Sequence, residues 1–325
     1  MPQIGGTAAA EPIRTLLSVQ KGCGIDVVSD GQLLRTSACS LFAGNVAGVR
    51  SDSDGNGKPY VAGLLERKSP LTAPEVDILK RTATAPFKIT LPAPTVAATE
   101  LFREGVTNEH YPTRRDLAQA LAAILRQEIA DLIAEGVPYI QLDGPAYEAS
   151  ADRAGAAKLG GVDEMLSLDS QALRDLPRPE KLKLAIHLPR ARDASGALLQ
   201  SAGLPEKRAA MLESALARLP VDRFLIEFPA EPGEADFAPL RGVPQGSMAV
   251  LGLVDPLAPR ADEVDPLLDR LDLAVTFIGA ERLALSPRRG FATPGAARDA
   301  HAFEAQRRSL TLTAEAARRF WGFEM

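Results

Sequence analysis

The chain has 325 residues, 46% hydrophobic and 24% charged, an ordinary globular balance with room for one large α/β domain or two smaller ones. A formal net charge of −5 argues against a nucleic-acid partner, which would need a basic face to displace counterions from phosphates. No apolar run approaches the roughly 18–20 residues that span a bilayer, and the opening MPQIGGTAAAEPIR lacks a charged segment followed by an apolar one. No membrane partner is expected, and the expected location is cytoplasmic.

In chain order, residues 11–22 place Ile13, Leu16, Leu17 and Val19 at helical spacing and lead into IDVVSDG, a strand stopped by Asp30-Gly31. The two cysteines, Cys23 and Cys39, flank that strand and read as buried free thiols. Residues 50–59 (RSDSDGNGKP) form a polar turn. YVAGLLERK after it reads as a short strand or extended arm, one arrangement being a hairpin over a barrel mouth. FKITLPAPT (87–95) is a strand ending in prolines, and residues 114–136 form a long amphipathic helix capped by Gly136. Strand YIQLDGP follows, then a helix near 162–175, strand 182–188, helix 205–217, strands 223–228 and 248–255, a helix near 262–279, strand 282–287 and a last helix over 299–320. His110 and the pairs Arg114-Arg115 and Arg307-Arg308 read as solvated surface.

Short apolar runs bounded by turn signals and separated by helices read as parallel strands buried on both faces. Seven or eight such units in one chain fit a closed (β/α)8 TIM barrel better than an open doubly wound sheet, and no G-x-G-x-x-G follows any strand. Only residues 2–6 are available for a first strand, which must therefore be short. No linker divides the chain, so residues 1–325 are read as a single barrel domain.

Four strands end on polar clusters: YIQLDGP, LAIHLPR, RFLIEFPAE and RLALSPRRGF. In such barrels the carboxyl ends of the strands open onto the site. Together with GIDVVSDGQLLR, PFKITLPAPT, DFAPLRGVPQG, AVLGLVDP and AEAARRFWG, these segments resemble, in order and spacing, the short single-barrel members of the cobalamin-independent methionine synthase family.

That resemblance implies transfer of a methyl group from a reduced folate to a thiol that zinc holds as thiolate. The family binds its zinc through a histidine and a cysteine two residues apart, a glutamate, and a cysteine just before a Gly-Phe or Gly-Leu. Here the histidine is His187 and the glutamate Glu227, but the cysteine positions hold Pro189 and Arg289. Two ligands of four fall short of the three a protein site needs, and a guanidinium repels a cation, so no metal is expected and the zinc is read as lost. The family's ammonium-gripping glutamate is Gln32 here, with Arg35 retained. Its acidic pair is Asp143-Gly144, and the position of its pterin-stacking aromatic falls near Glu100, which leaves little to hold a folate.

His187 is either an acid/base group or a leftover ligand bonded to Glu227 or a backbone carbonyl. Glu227, on an apolar strand, needs a partner, and an ion pair with Arg289 is the bland arrangement. Arg289 could instead bind an anion, with help from Arg190 and Arg192. Asp143 could hold an ammonium group or pair with Arg35.

The resulting expectation is a divergent methyl or alkyl transferase on a small anionic substrate, with His187, Glu227 and Asp143 catalytic and Gln32, Arg35, Arg289 and Arg190 binding substrate. Two alternatives stand beside it. One is a metal-free decarboxylase or lyase with site chemistry like that of uroporphyrinogen decarboxylase, a relative of the same fold. The other is a non-catalytic pseudo-enzyme.

Overall fold

The computed structural model describes residues 10–52, 57–150, 159–192, 204–256, 264–291 and 300–322. Along the chain run α1 (Ala10–Gly22), β1 (Val28–Ser29), β2 (Val46–Ser51), β3 (Pro59–Arg67), α2 (Ala73–Thr82), β4 (Phe87–Pro92), α3 (Pro94–Leu101) and α4 (Arg114–Ala134). Next come β5 (Tyr139–Asp143), the single turn α5 (Tyr147–Ser150), α6 (Val162–Gln171), β6 (Lys183–Leu188), α7 (Leu204–Arg218) and β7 (Arg223–Glu227). The single turn α8 (Glu234–Phe237), β8 (Met248–Val254), α9 (Val264–Val275), β9 (Leu283–Pro287) and α10 (Ala300–Trp321) complete the order.

Seven strands form one sheet, β1-β4-β5-β6-β7-β8-β9, with every neighbouring pair parallel. Strand order that follows chain order is what successive right-handed crossovers through intervening helices produce. The result is an open (β/α) barrel rather than a closed one: among the described residues β1 and β9 are its two ends. The first strand expected at residues 2–6 lies outside the described residues.

β1 is shorter than the sequence implied. The amide of Ile25 bonds Gln20 O at 3.1 Å and that of Gly24 bonds Lys21 O at 2.9 Å, with Gly24 at φ +83. This is a glycine-capped helix end, and it ties up residues that would otherwise extend the strand.

Alternation along the strands divides the barrel in two. Ile89, Leu91, Ile140, Leu142, Leu184, Ile186, Phe224, Ile226 and Leu251 belong to the large core between sheet and helices. The other face carries a separate small cluster, Ala185, Leu225 and Val250 with Tyr139 and Ala284. The same face carries Gln141, Asp143, His187 and Glu227 toward the strands' carboxyl ends.

Helix α4 starts on a reciprocal cap, in which Thr113 Oγ1 accepts from the Asp116 amide and the Asp116 carboxylate accepts from the Thr113 amide. It ends before Gly136 at φ +77, and it buries Leu117, Leu121, Leu125, Ile129 and Leu132. Helices α2 and α3 had not been read from the sequence. Pro94 stands in the first turn of α3, where its missing amide costs nothing.

The hairpin β2–β3 forms as expected but does not lie over the mouth. Val61 O accepts from Thr107 Oγ1 at 2.7 Å, the Leu65 amide bonds Tyr111 Oη at 2.9 Å, and Arg67 pairs with Glu128 and Asp131 of α4. These partners hold the hairpin along the flank of α3 and α4. Its bulge falls at Gly48, at φ +84, where a Cβ would stand 2.4 Å from Leu64 O. Arg114 is not solvated either, because it pairs with Glu104 and lies 4.7 Å over the ring of Phe102. No helix among the described residues is long and apolar enough to cross a membrane.

Candidate functional site

Strands β5 and β6 place Asp143 directly beside His187. His187 Nδ1 stands 3.9 Å from Asp143 Oδ1, an oxygen that also accepts from Gln141 Nε2 at 2.7 Å. Asp143 Oδ2 accepts from Gln32 Nε2 at 3.4 Å, and Lys88 Nζ donates to Gln141 Oε1 at 2.9 Å. Burial holds the His187 pKa below the ordinary imidazole value, against the opposing pull of Asp143 and Glu227. Nε2 of the ring is buried without an aligned hydrogen bond. Lys88 is likewise lowered by burial, with Asp143 and Asp30 pulling it back.

Gln32 reaches this cluster from a strained turn. Gly31 at φ +65 and Gln32 at φ +55 are successive left-handed residues, and the Leu33 amide closes onto Asp30 O at 3.4 Å. A non-glycine residue held there marks a position fixed by its surroundings.

Gly144 explains the missing second carboxylate. Its amide bonds His187 O at 3.0 Å, and a Cβ at this position would lie 2.9 Å from that same oxygen and 3.2 Å from the Tyr147 ring. The backbone approach that seats His187 therefore excludes a glutamate at 144.

Arg35 does not pair with Asp143. Its Nε bonds Glu75 at 3.0 Å and one terminal nitrogen bonds Thr90 O at 2.8 Å, while the other terminal nitrogen is buried without a partner. Asp30 Oδ2 is also buried and unbonded, and burial raises the Asp30 carboxyl pKa despite the nearby Arg35.

Glu227, 2% exposed at the end of β7, does not pair with Arg289. Its Oε2 accepts from the Arg190 amide at 2.8 Å, and its Oε1 is bonded by Arg192. The sequence placed Arg190 at the mouth, but the residue meets Glu227 through its backbone. Arg289 makes no hydrogen bond or ion pair among the described residues. Its neighbour Arg288 is bonded to Asp255 at 3.2 Å, with its charge disfavoured first by burial.

Sequence reasoning missed Arg208, Glu148 and Lys88. Arg208, on α7, ties together Glu148, the carbonyls of Leu188 and Pro189, and the carbonyl of Glu227. Nothing in α7 singles out this arginine. Lys88 was findable, since a charged residue at an inward position of a strand buried on both faces needs a reason.

Deeper in the fold, Asp169 accepts from the Thr95 amide (2.8 Å), Thr95 Oγ1 (2.7 Å) and Tyr147 Oη (2.6 Å). This network fastens α3, α5 and α6 beside the mouth. Burial pushes the Asp169 pKa up to about 6.

The residues present do not fit a zinc ion. Among the described residues no three of His, Cys, Asp and Glu come together as a metal would need. Glu227 already has both oxygens engaged, and Cys23 and Cys39 are free, buried thiols. The Cys39 thiol is pushed well up by burial and by Glu100 beside it.

A family model described as the catalytic domain of cobalamin-independent synthase matches residues 6–159. The methionine synthase of Sulfolobus acidocaldarius is 32% identical over 144 residues, covering 42% of this chain and 41% of that protein. A 5-methyltetrahydropteroyltriglutamate–homocysteine methyltransferase of Streptomyces avermitilis is 27% identical over 300 residues, 87% of this chain and 35% of the relative. The uncharacterized protein YxjH of Bacillus subtilis is 25% identical over 87% of this chain and 78% of its own. The chain thus spans well under half the length of the named synthases it matches.

Among solved structures, a B12-independent methionine synthase from Shewanella sp. W3-18-1, in complex with selenomethionine, superposes with a TM-score of 0.73 at 21% identity. That match covers 96% of this chain and 88% of the other, and it speaks to the fold. The amino-terminal half is thus similar to the catalytic domain of the cobalamin-independent synthases, and the barrel shares its fold with a methionine synthase, with no metal cluster evident among the described residues.

Proposed function

We propose that the chain is a zinc-independent methyl or alkyl transferase acting on a small anionic substrate at the carboxyl ends of β5, β6 and β7. The observation that carries this reading is the engagement of Glu227 by the Arg190 amide and Arg192, beside a His187 whose Nε2 makes no aligned hydrogen bond, the Arg288 backbone being its near polar neighbour. A metal ligand has become part of a cationic wall, and the remaining histidine is kept neutral by burial, as a general base requires.

In this reading His187 takes the proton of the acceptor, a thiol or similar X–H group, as the methyl group moves onto X. The electron pair of the broken donor bond stays on the donor atom, and His187 returns the proton to it. Asp143, 3.9 Å from Nδ1, stabilises the imidazolium that forms in between. Gln32 and Gln141 hold the Asp143 carboxylate in place. Glu227 orients the 190–192 segment, whose Arg190 attracts the substrate's anionic group.

The test is transfer of an isotopically labelled methyl group from a methyltetrahydropteroylglutamate to homocysteine and a panel of mercaptocarboxylates, followed by NMR in chelator-treated protein. Label transfer that survives the chelator and is lost in His187→Asn supports the reading. Transfer that requires added zinc, or no transfer to any acceptor, overturns it.

A further inference from the structure

We propose that Arg190 and Arg288 form an oxyanion subsite, specific for a phosphoryl or carboxylate group of the substrate, beside the position where the superfamily's metal would stand. The proposal rests on the reading above that the mouth takes an anionic substrate, and it names which groups hold the anion.

The argument is one of charge pairing. Around the end of β7, four arginines each have a carboxylate: Arg192 with Glu227, Arg208 with Glu148, Arg270 with Glu231 and Arg288 with Asp255. Arg190 belongs to the same cluster, because its amide bonds Glu227, which stands opposite Gly252 on β8, and a Cβ at Gly252 would lie 3.0 Å from the Arg288 Cα. Its amide serves Glu227, yet its guanidinium has no carboxylate or carbonyl partner among the described residues. An unpaired cation held among other cations is an arrangement that an anion relieves.

Arg288 supplies the second half. Its side chain is 10% exposed, and Nε is buried with no hydrogen-bond partner, whereas one terminal nitrogen is held by Asp255. A guanidinium anchored at one edge, with a buried and unsatisfied N–H at the other, is left with a donor that an oxyanion can satisfy, the geometry that makes arginine suited to phosphate and carboxylate. The backbone fixes its place: the Arg288 amide bonds Val254 O at 2.9 Å, just past the register shift between Gly252 and Val254.

Lysine would serve poorly at either position, since its point charge offers no planar fork. The cluster is also too enclosed for an extended polyanion to reach every arginine, because Arg208 is wholly occupied by Glu148 and three backbone carbonyls. One oxyanion bound by Arg190 and Arg288 is the stoichiometry the pairing leaves open.

The experiment is isothermal titration of the full chain with inorganic phosphate and separately with succinate, at constant ionic strength set by chloride. The variants are Arg190→Gln, Arg288→Gln and the surface control Arg81→Gln. Saturable binding of at least one anion is expected at one site per chain, weakened about tenfold or more in Arg190→Gln and in Arg288→Gln. Arg81→Gln should bind as the parent does. Phosphate bound with succinate ignored assigns a phosphoryl group, and the reverse assigns a carboxylate. Equal binding by parent and Arg190→Gln, or no saturable heat with either anion, overturns the subsite. If Arg288→Gln does not fold, Arg190→Gln alone decides, as its guanidinium has no structural partner to lose. Anion binding that depends on Arg190 in a protein with no methyl transfer would sink the transferase reading and leave the subsite standing. Methyl transfer without Arg190-dependent binding would do the opposite.

Discussion

Arg192 is folded back onto Glu227, its guanidinium on the carboxylate oxygen Oε1 at the end of β7, and the pair is unequal: the Glu227 side chain is wholly enclosed while Arg192 keeps about a quarter of its surface. A buried carboxylate with a fixed cation and a backbone amide on its two oxygens is satisfied. Each of its oxygens already carries a donor with which a metal would have to compete.

Metal content follows from that pairing. Protein purified without chelator should hold zinc well below one per chain by plasma mass spectrometry, with no change in His187→Ala. Restoring thiolates at the two vacated positions, Pro189→Cys with Arg289→Cys, should raise zinc toward one per chain only when Arg192→Ala is added, since the guanidinium otherwise holds Glu227. Near-stoichiometric zinc in the parent, lost in His187→Ala, would show that a different ligand set operates.

The His187 imidazole should titrate below the ordinary 6.5, because burial outweighs the acids around it. With only three histidines in the chain, its ring signals can be followed by NMR across pH. Asp143 favours the imidazolium, so Asp143→Asn should move the midpoint lower still. A midpoint at or above 6.5 in the parent, or an upward move in the variant, would contradict the placement of the pair.

Asp169 gives a pH dependence of opposite character to that of a paired carboxylate. Its folded pKa, about 6, lies above the ordinary 3.8, so the folded state holds the proton more tightly than the unfolded chain. The associated stability is present below about pH 4 and is lost as pH rises through about 6, an amount on the order of 3 kcal/mol. Asp169→Asn should flatten this part of the curve when urea unfolding is compared at pH 4.5 and 6.5. An unchanged difference between those two values would show that Asp169 is ionised in the fold throughout.

Glu128 fastens the hairpin and the start of α2 to α4. It accepts from Arg67, from the amides of Leu71 and Thr72 at 2.8 and 3.0 Å, and from Thr72 Oγ1 at 2.7 Å. Glu128→Ala leaves the Arg67 guanidinium with Asp131 alone, strands two buried amides, and should cost roughly 3–5 kcal/mol in urea unfolding, Glu128→Gln less. A loss under about 1 kcal/mol in the alanine variant would mean that water replaces these bonds.

What the sequence disclosed of this molecule was its strand-end chemistry and its alternation of strand and helix. Both are local: YIQLDGP and LAIHLPR carry their own period and turn signals, and adjacent parallel strands bring Asp143 to His187 by register alone. Partner choice was not local. Which arginine meets Glu227 depends on how the 190–192 segment turns back, and the pairing went to Arg192 rather than Arg289. Arg208 reaches the same place from α7, and no spacing rule connects it to Glu148, 60 residues earlier. Helix α3 was hidden by its prolines, which read as a stop although Pro94 stands where a helix tolerates one.

The division of the barrel into a broad helix-facing core and a small inner cluster separates the residues that hold the protein up from those that decide its chemistry. Gln141, Asp143, His187 and Glu227 share the face of Ala185, Leu225 and Val250, whereas the leucines and isoleucines of the outer layer lie on the other. A lineage can therefore exchange cysteine for proline or arginine at strand ends without passing through an unfolded ancestor. The same tolerance makes these few positions the place to graft another activity onto this barrel.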